Sequence, residues 1–542
     1  MRKYHIFSLL ACLTTAAATQ AAPAPPKLVV QIVVSQMRYD YLQRFGHNFA
    51  ENGFNAFLRN GVTCTNARYG YMNTTTPAGL ATLTTGSDPC SHGILSEHWI
   101  DYTTNGDVRL IEDDRYFGVG CVETDGQYSP AKLSVSTLGD ELKKNDPRSK
   151  VVSLALHPAS AIVAGGNLAD AAYWFDIHRG NWSTSTYYLQ RLPNWVEKYN
   201  EQRAVDAYND RVWNISLPPS SYVCTEHSDI VPDSVRRNGS GFSLSALFRQ
   251  KPDVDYAKLS VTPVGTDMLT DFAKQTVVYE NLGKDEHPDL LLITVDPTRD
   301  ISESYGTESM ENEDAYYRLD RNLADLMEYI GVQVGKENVL FVLTSDHGAS
   351  DTYREGGKMP GGLFNVMQFK VLINGFLNTQ YGTATWVVDY DNRSLYLNRR
   401  IVFEKNLSLA EMQTKAAAFA LQFRGVSEAV TATALQNSHF SGGALSKIQK
   451  GFYPKHSGDI VINLMPGWIE DTGDRVSTSG SLYEYDTHVP LLWYGPGLGK
   501  ETIHDPVDMT DVAPTLARIL GINRPDVATG REIIPLTTKY TD

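Results

Sequence analysis

The 542-residue chain is poor in cysteine, with five, and no two of them form a Cys-x-x-Cys pair. No His-x-x-x-His pair occurs either, so the usual short zinc-binding spacings are absent. No Gly-x-Ser-x-Gly elbow is present, which removes the common signature of a serine hydrolase of the α/β type. Basic runs are missing as well: 48 Lys and Arg face 63 Asp and Glu, for a net charge of −15. A nucleic-acid partner is therefore not expected, because phosphate backbones are held by clustered cations. Any anionic substrate would need a local positive centre.

What is there is enough apolar material, 42%, for one large domain with a substantial core. Residues 1–21 read as a secretory signal: Arg2 and Lys3, a mainly apolar stretch from Ile6 to about Ala18, small residues, then prolines. The apolar stretch is shorter than the roughly 20 residues a spanning helix needs, and no later run reaches that length. Export to the periplasm or cell surface is expected, with no transmembrane segment and no partner identified beyond one in that compartment. Loss of the two basic residues takes the mature charge to −17. Cys12 follows too short an apolar stretch to make a strong lipoprotein site. The pairing of Cys64, Cys90, Cys121 and Cys224 is left open, disulfides and free thiols both being compatible with the sequence.

Apolar runs at Lys27 to Val34, Val151 to Leu156, Leu290 to Val295, Val339 to Thr344, Asp459 to Asn463 and Val489 to Trp493 alternate with helical patterns. Continuous apolar strands separated by helices predict a doubly wound, mostly parallel α/β sheet covered on both faces. Tyr316, Leu319, Leu323, Leu326 and Ile330 mark one of those helices. Regions at about 174–217 and 371–451 break the alternation and read as insertions in a single domain over 22–542. In such sheets ligands bind beyond the carboxyl ends of the strands, so chemistry is sought there.

Five strand-end segments stand out together: Val34-Ser35-Gln36, Thr74-Thr75-Thr76-Pro77 closing at Thr85-Gly86, Thr298-Arg299-Asp300, Ser345-Asp346-His347-Gly348, and Ser479-Gly480-Ser481 leading to Asp486-Thr487-His488. In this order and spacing the chain resembles the alkaline phosphatase superfamily, in its branch of secreted bacterial phosphatases allied to nucleotide pyrophosphatases and phosphodiesterases. The resemblance implies a sheet carrying two Zn²⁺ ions that hold a phosphoryl group and activate a Thr or Ser nucleophile.

Carried over residue by residue, the resemblance puts Thr76 at the nucleophile position and retains Asp346 and His347 as metal ligands. Ser35 stands where the family has the Asp of the same zinc. At the second zinc the corresponding residues are Arg299, Glu303 and Ser479, of which only Glu303 could serve as a ligand. A guanidinium has no lone pair to give and stays protonated, so Arg299 is expected to replace a metal cation and to pair with Asp346 or Glu303. A one-residue shift in register would instead make Asp300 the ligand, with the histidine still missing. Where relatives hold phosphoryl oxygens with Asn, Lys and Arg, this chain has Glu97, His157 and Ala159. A carboxylate there repels a phosphoryl oxygen by several kcal/mol at an effective dielectric of about 20.

The expectation from these replacements is a degenerate metal centre with no cofactor, in a non-catalytic binding or structural homologue, a pseudoenzyme. The alternative is a metal-dependent phosphomonoesterase or phosphodiesterase using Thr76, with zinc or another divalent ion at one site. A hydrolase of a non-anionic substrate using Glu97 and Glu303 is a third reading.

Overall fold

The computed structural model describes residues 24–208, 212–224, 241–243, 256–353, 360–473 and 475–540. The segment read as an export signal, with Cys12, lies outside them. The first strand, β1 (Leu28–Val34), shows why the chain folds as it does. Its Leu28, Val30, Ile32 and Val34 enter one apolar core and its Val29 and Val33 another. A strand buried on both faces belongs to the interior of a sheet sandwiched by helices.

The elements that follow are β2 (Val62–Cys64), α1 (Thr76–Thr85), β3 (Gly118–Val119), β4 (Val151–Ala155), α2 (Pro158–Gly165), β5 (Ala171–Asp176) and β6 (Asn181–Ser185). Next come α3 (Pro263–Tyr279), β7 (Asp289–Val295), α4 (Pro297–Tyr305), α5 (Met310–Val334) and β8 (Val339–Thr344). A second group contains α6 (Val366–Tyr381), β9 (Val387–Asp391), β10 (Ser394–Leu397), α7 (Leu409–Ala420), β11 (Val426–Thr431) and β12 (Ile460–Leu464). The chain then returns through β13 (Leu491–Tyr494) and β14 (Glu501–Ile503).

The ten-stranded sheet runs β14-β2-β13-β8-β1-β7-β4-β5-β6-β3. Its centre, β8 to β5, is parallel throughout, while β13 and β6 are antiparallel to their neighbours. The expected mostly parallel, helix-covered sheet is present, and Tyr316, Leu319, Leu323, Leu326 and Ile330 are buried on α5 as their spacing predicts. Two placements differ from expectation. The run at Asp459 to Asn463 is β12, which belongs to a separate antiparallel sheet β9-β10-β12-β11 rather than to the centre. Its apolar residues face their own core with Trp386, Phe369 and Met412, and short buried strands of two sheets look alike in sequence. The stretch read as starting an insertion at Trp174 lies within β5, a strand of the central sheet. Cys64, Cys90, Cys121 and Cys224 are all unpaired. Among the described residues no helix is long and apolar enough to cross a membrane.

The parallel strands β4, β1, β7 and β8 end side by side, and the loops that follow them carry His157, Ser35, Asp296 and Asp346. Opposite them lies α1, all ten of whose residues are buried. Thr75 caps it by accepting from the Ala78 amide, Pro77 occupies the first turn, and Gly86 ends it in the left-handed conformation. Gly79 lets this helix press against the loop after β8: a Cβ there would sit 2.1 Å from the Asp346 carbonyl oxygen. Gly348 does the same on the other side of that loop, where a Cβ would lie 2.0 Å from the Tyr485 carbonyl oxygen. Both contacts are with backbone, so neither can relax by rotating a side chain. Gly79→Ala is expected to destabilise the fold by about 3 kcal/mol through overpacking, measured as a lower urea midpoint at unchanged m-value. An unchanged midpoint would show that the helix and loop separate freely.

Candidate active site

Thr76 is the first residue of α1 and is 4% exposed, with three polar neighbours around its hydroxyl. Arg299 Nη1 donates to Thr76 Oγ1 at 2.9 Å, His347 Nε2 lies 3.1 Å away, and Ser35 Oγ 3.2 Å away. His347 Nδ1 is 2.7 Å from the Gly348 carbonyl oxygen, which can only accept. The proton of the neutral ring is therefore on Nδ1, and the lone pair of Nε2 faces Thr76.

Asp346 is fully buried and accepts from every side. Ser35 Oγ donates to its Oδ2 at 2.6 Å, and the backbone amides of Gln36 and His347 donate to Oδ1, each at 2.9 Å. Gln36 reaches this position with φ 63°, an uncommon conformation for a non-glycine residue. Its side chain is tied down by a hydrogen bond from Ser302 Oγ to Oε1. Nothing in the sequence marks Gln36 as a support of Asp346, since glutamine is not a residue that signals a left-handed turn.

Arg299 does not pair with Asp346 or Glu303, the partners its sequence context suggests. Its Nε and Nη2 donate to Asp300 Oδ1 at 3.3 and 3.2 Å. Asp346 is already engaged by Ser35 and two amides, and Glu303 lies 3.4 Å from Arg475. Asp300 therefore acts as a counter-ion, accepting on its other oxygen from His157 Nε2 at 2.8 Å. Burial works against both cations, but Asp300 and Asp296 outweigh it: Arg299 is held firmly protonated and the His157 pKa is pushed up to about 9. Asp300 lies well below the usual carboxylate range because its own burial is overcome by His157 and Arg299. Asp296 completes the arrangement at the head of α2, accepting from the Leu156 and His157 amides at 2.9 and 3.0 Å and from Ser160 Oγ at 2.6 Å. The signal for this network was an acidic residue directly after β7 and another beside Arg299, but only the fold brings His157 to them.

The remaining positions are dispersed. Glu97 is exposed at the rim, where its charge adds to the field on Arg299. Ala159 is buried in α2 and offers no polar atom. Ser479 precedes Gly480, whose amide donates to Thr74 Oγ1 at 3.2 Å, so this segment is pinned two residues from Thr76. Glu303 has its pKa raised by burial, with Arg299 and Arg475 opposing the shift.

Among the described residues no group of three His, Cys, Asp or Glu side chains could hold a metal ion. Four donors do converge: Asp346 Oδ2, His347 Nε2, Thr76 Oγ1 and Ser35 Oγ. Successive pairs are 2.6 Å (Asp346 to Ser35), 3.2 Å (Ser35 to Thr76), 3.1 Å (Thr76 to His347) and 3.7 Å (His347 to Asp346). Tetrahedral ligands about 2.1 Å from a small divalent cation are roughly 3.4 Å from one another. One carboxylate, one imidazole and two hydroxyls are thus clustered within reach of one such cation, with Ser35 and Asp346 drawn closer by the hydrogen bond between them.

Residues 29–475 match the sequence model of the type I phosphodiesterase / nucleotide pyrophosphatase family. The chain is 32% identical to a protein of Myroides odoratus named calcium-transporting ATPase, over 94% of each chain. It is also 32% identical to alkaline phosphatase PafA of Elizabethkingia meningoseptica, over 95% of each. To alkaline phosphatase PhoV of Synechococcus elongatus it is 31% identical, over 95% of this chain and 93% of that one. The crystal structure of PafA superposes with a TM-score of 0.86 at 30% identity, covering 95% of this chain and 100% of that one. Relatives this similar over nearly their whole length carry the names of alkaline phosphatases. That overturns the expectation of a non-catalytic homologue with a degenerate centre, and with it the expectation that no cofactor is held, since the resemblance is to enzymes that work through metal. The chain belongs to the type I phosphodiesterase / nucleotide pyrophosphatase family, within the alkaline phosphatase superfamily.

Proposed function

We propose that this protein is a phosphoric ester hydrolase, acting on phosphomonoesters or phosphodiesters, with Thr76 as the nucleophile. The observation that carries this reading is the surroundings of Thr76 Oγ1, a buried hydroxyl with a guanidinium donating to it and an imidazole lone pair facing it. The names of the relatives support it, and the ATPase name also denotes cleavage of a phosphoryl bond.

Thr76 Oγ1, its proton given up to solvent, forms a bond to phosphorus as the bond to the leaving oxygen breaks, and that oxygen takes a proton from solvent and departs as an alcohol. Water then attacks the phosphothreonine, releasing inorganic phosphate from a monoester or the remaining monoester from a diester and restoring the hydroxyl. Asp346 and His347 would hold one divalent cation, with the Thr76 and Ser35 hydroxyls completing the set; such an ion supplies Lewis acidity that favours the ionised hydroxyl. Arg299 donates to the nucleophile and steadies negative charge on it as it ionises. Position matters too, since Thr76 begins a helix whose dipole favours negative charge at that end. The Ser35 hydroxyl, by donating to Asp346, leaves its oxygen free to accept.

Substitution Thr76→Ala is expected to reduce turnover of aryl phosphate mono- and diesters at least roughly 1,000-fold, assayed with added Zn²⁺ or Mn²⁺ and with bound metal measured in parallel. Turnover that survives the substitution would sink the assignment of the nucleophile. The His157–Asp300 pair carries a pH dependence of stability. A group whose folded pKa lies above its unfolded value of about 6.5 stabilises fully below that value and loses the contribution as pH rises through about 9. The Tm advantage of wild type over His157→Gln is thus expected to be largest near pH 6 and to vanish by about pH 10; a difference constant across that range would exclude the protonated pair.

Export is part of the same proposal, supported by the composition of residues 1–21. The mature N-terminus, read by mass spectrometry from the periplasmic or surface fraction, should begin near Ala22, and an intact Met1 in the cytosol would refute it.

A further inference from the structure

We propose that Arg299 is a catalytic residue that binds the phosphoryl group directly, standing where a second metal ion would otherwise sit beside the nucleophile. Asp300 and His157 act as its positioning residues. This rests on the phosphoryl-transfer reading of the Thr76 site and names how that site holds its substrate.

The guanidinium has five N–H groups. Two point at Asp300 Oδ1, from Nε and Nη2, and one of those on Nη1 points at Thr76 Oγ1. One N–H on each terminal nitrogen is left over for a ligand. The side chain is only 14% exposed, so these donors lie in a largely water-excluded place beside the nucleophile's oxygen. Two N–H groups of one planar guanidinium match two oxygens of a phosphoryl group, a bidentate contact that a single ammonium cannot make.

Its placement is over-determined. Asp300 accepts from Arg299 on one oxygen and from His157 on the other, so one buried carboxylate holds two cations side by side. Asp296 fixes the His157 backbone from below and adds to the field that keeps both charged. Glu303, which could have competed for the guanidinium, is drawn to Arg475. The register alternative, in which Asp300 is a metal ligand, fails on the same contacts, because both its oxygens are taken by protein cations. A second divalent ion would have to displace Arg299 from Thr76, against its own charge repulsion.

The test uses the mature full-length protein, with inorganic phosphate as the probe. Zinc content is measured at saturation, and phosphate binding is titrated calorimetrically on the zinc-loaded and on the EDTA-stripped protein. Wild type should hold no more than one zinc per chain and should still bind phosphate after stripping. Arg299→Ala should weaken phosphate binding at least 30-fold in both states while leaving zinc content unchanged. Arg299→Lys should recover part of that loss, and His157→Gln should cost a few-fold. Should Arg299→Ala fail to fold by circular dichroism, the Arg299→Lys comparison decides, and an affinity within threefold of wild type would overturn the proposal. Two zinc ions per chain, no phosphate binding by wild type, or Arg299→Ala binding phosphate like wild type would each overturn it as well. Arg299-dependent phosphate binding without ester turnover would defeat the hydrolase reading and leave this one standing. Turnover with phosphate binding indifferent to Arg299 would do the reverse.

Discussion

The approach of a buried helix to a strand-end loop, backbone against backbone, is the constraint on which the site depends. Helix α1 meets the Asp346 carbonyl at Gly79 with no room for a side chain, and the loop is held from its other side at Gly348. That contact brings the first residue of the helix to the end of the sheet, so that Thr76 lies against His347 without any flexible linker between them. Because both partners are rigid elements, the 3.1 Å separation of Oγ1 and Nε2 is a property of the fold. A hydroxyl placed in this way has little side-chain freedom left to lose when it is engaged.

Charge is organised by the same geometry. The chain is acidic overall, yet beside Thr76 it collects a guanidinium and an imidazolium on one carboxylate. Burial alone would discharge the imidazole; the Asp300 and Asp296 carboxylates reverse that outcome. An acidic chain thus holds two cations at the strand ends because buried carboxylates offset the cost of burying them. The exposed Glu97 at the rim adds to the carboxylate field on Arg299 without entering the contact set.

Much of this was legible in the residues themselves. The apolar strand runs and the helical spacing of α5 report burial on two faces and on one face, a periodic property that survives in one dimension. Thr76, Asp346 and His347 could be singled out by their order and spacing. The partners of Arg299 could not be, because Asp346, Glu303 and Asp300 are all acidic and all near in the sequence pattern. Which carboxylate is free was decided by Ser35, the Gln36 amide and Arg475, each of which satisfies a competitor first. The same limitation moved Asp459 to Asn463 into the wrong sheet, since a buried strand carries no mark of which sheet buries it.

Taken by itself, the sequence determined the sheet-and-helix architecture and the identity of the groups available for a centre. Those follow from hydrophobic periodicity and from chemistry carried by single residues. Tertiary structure alone decided that Asp300, not Asp346 or Glu303, neutralises Arg299, that His157 shares it, and that Ser35 serves Asp346. Such choices turn on hydrogen-bond distances set by the fold, two of them between residues 143 and 311 positions apart, and hydrogen bonds to charged groups fall off steeply with distance.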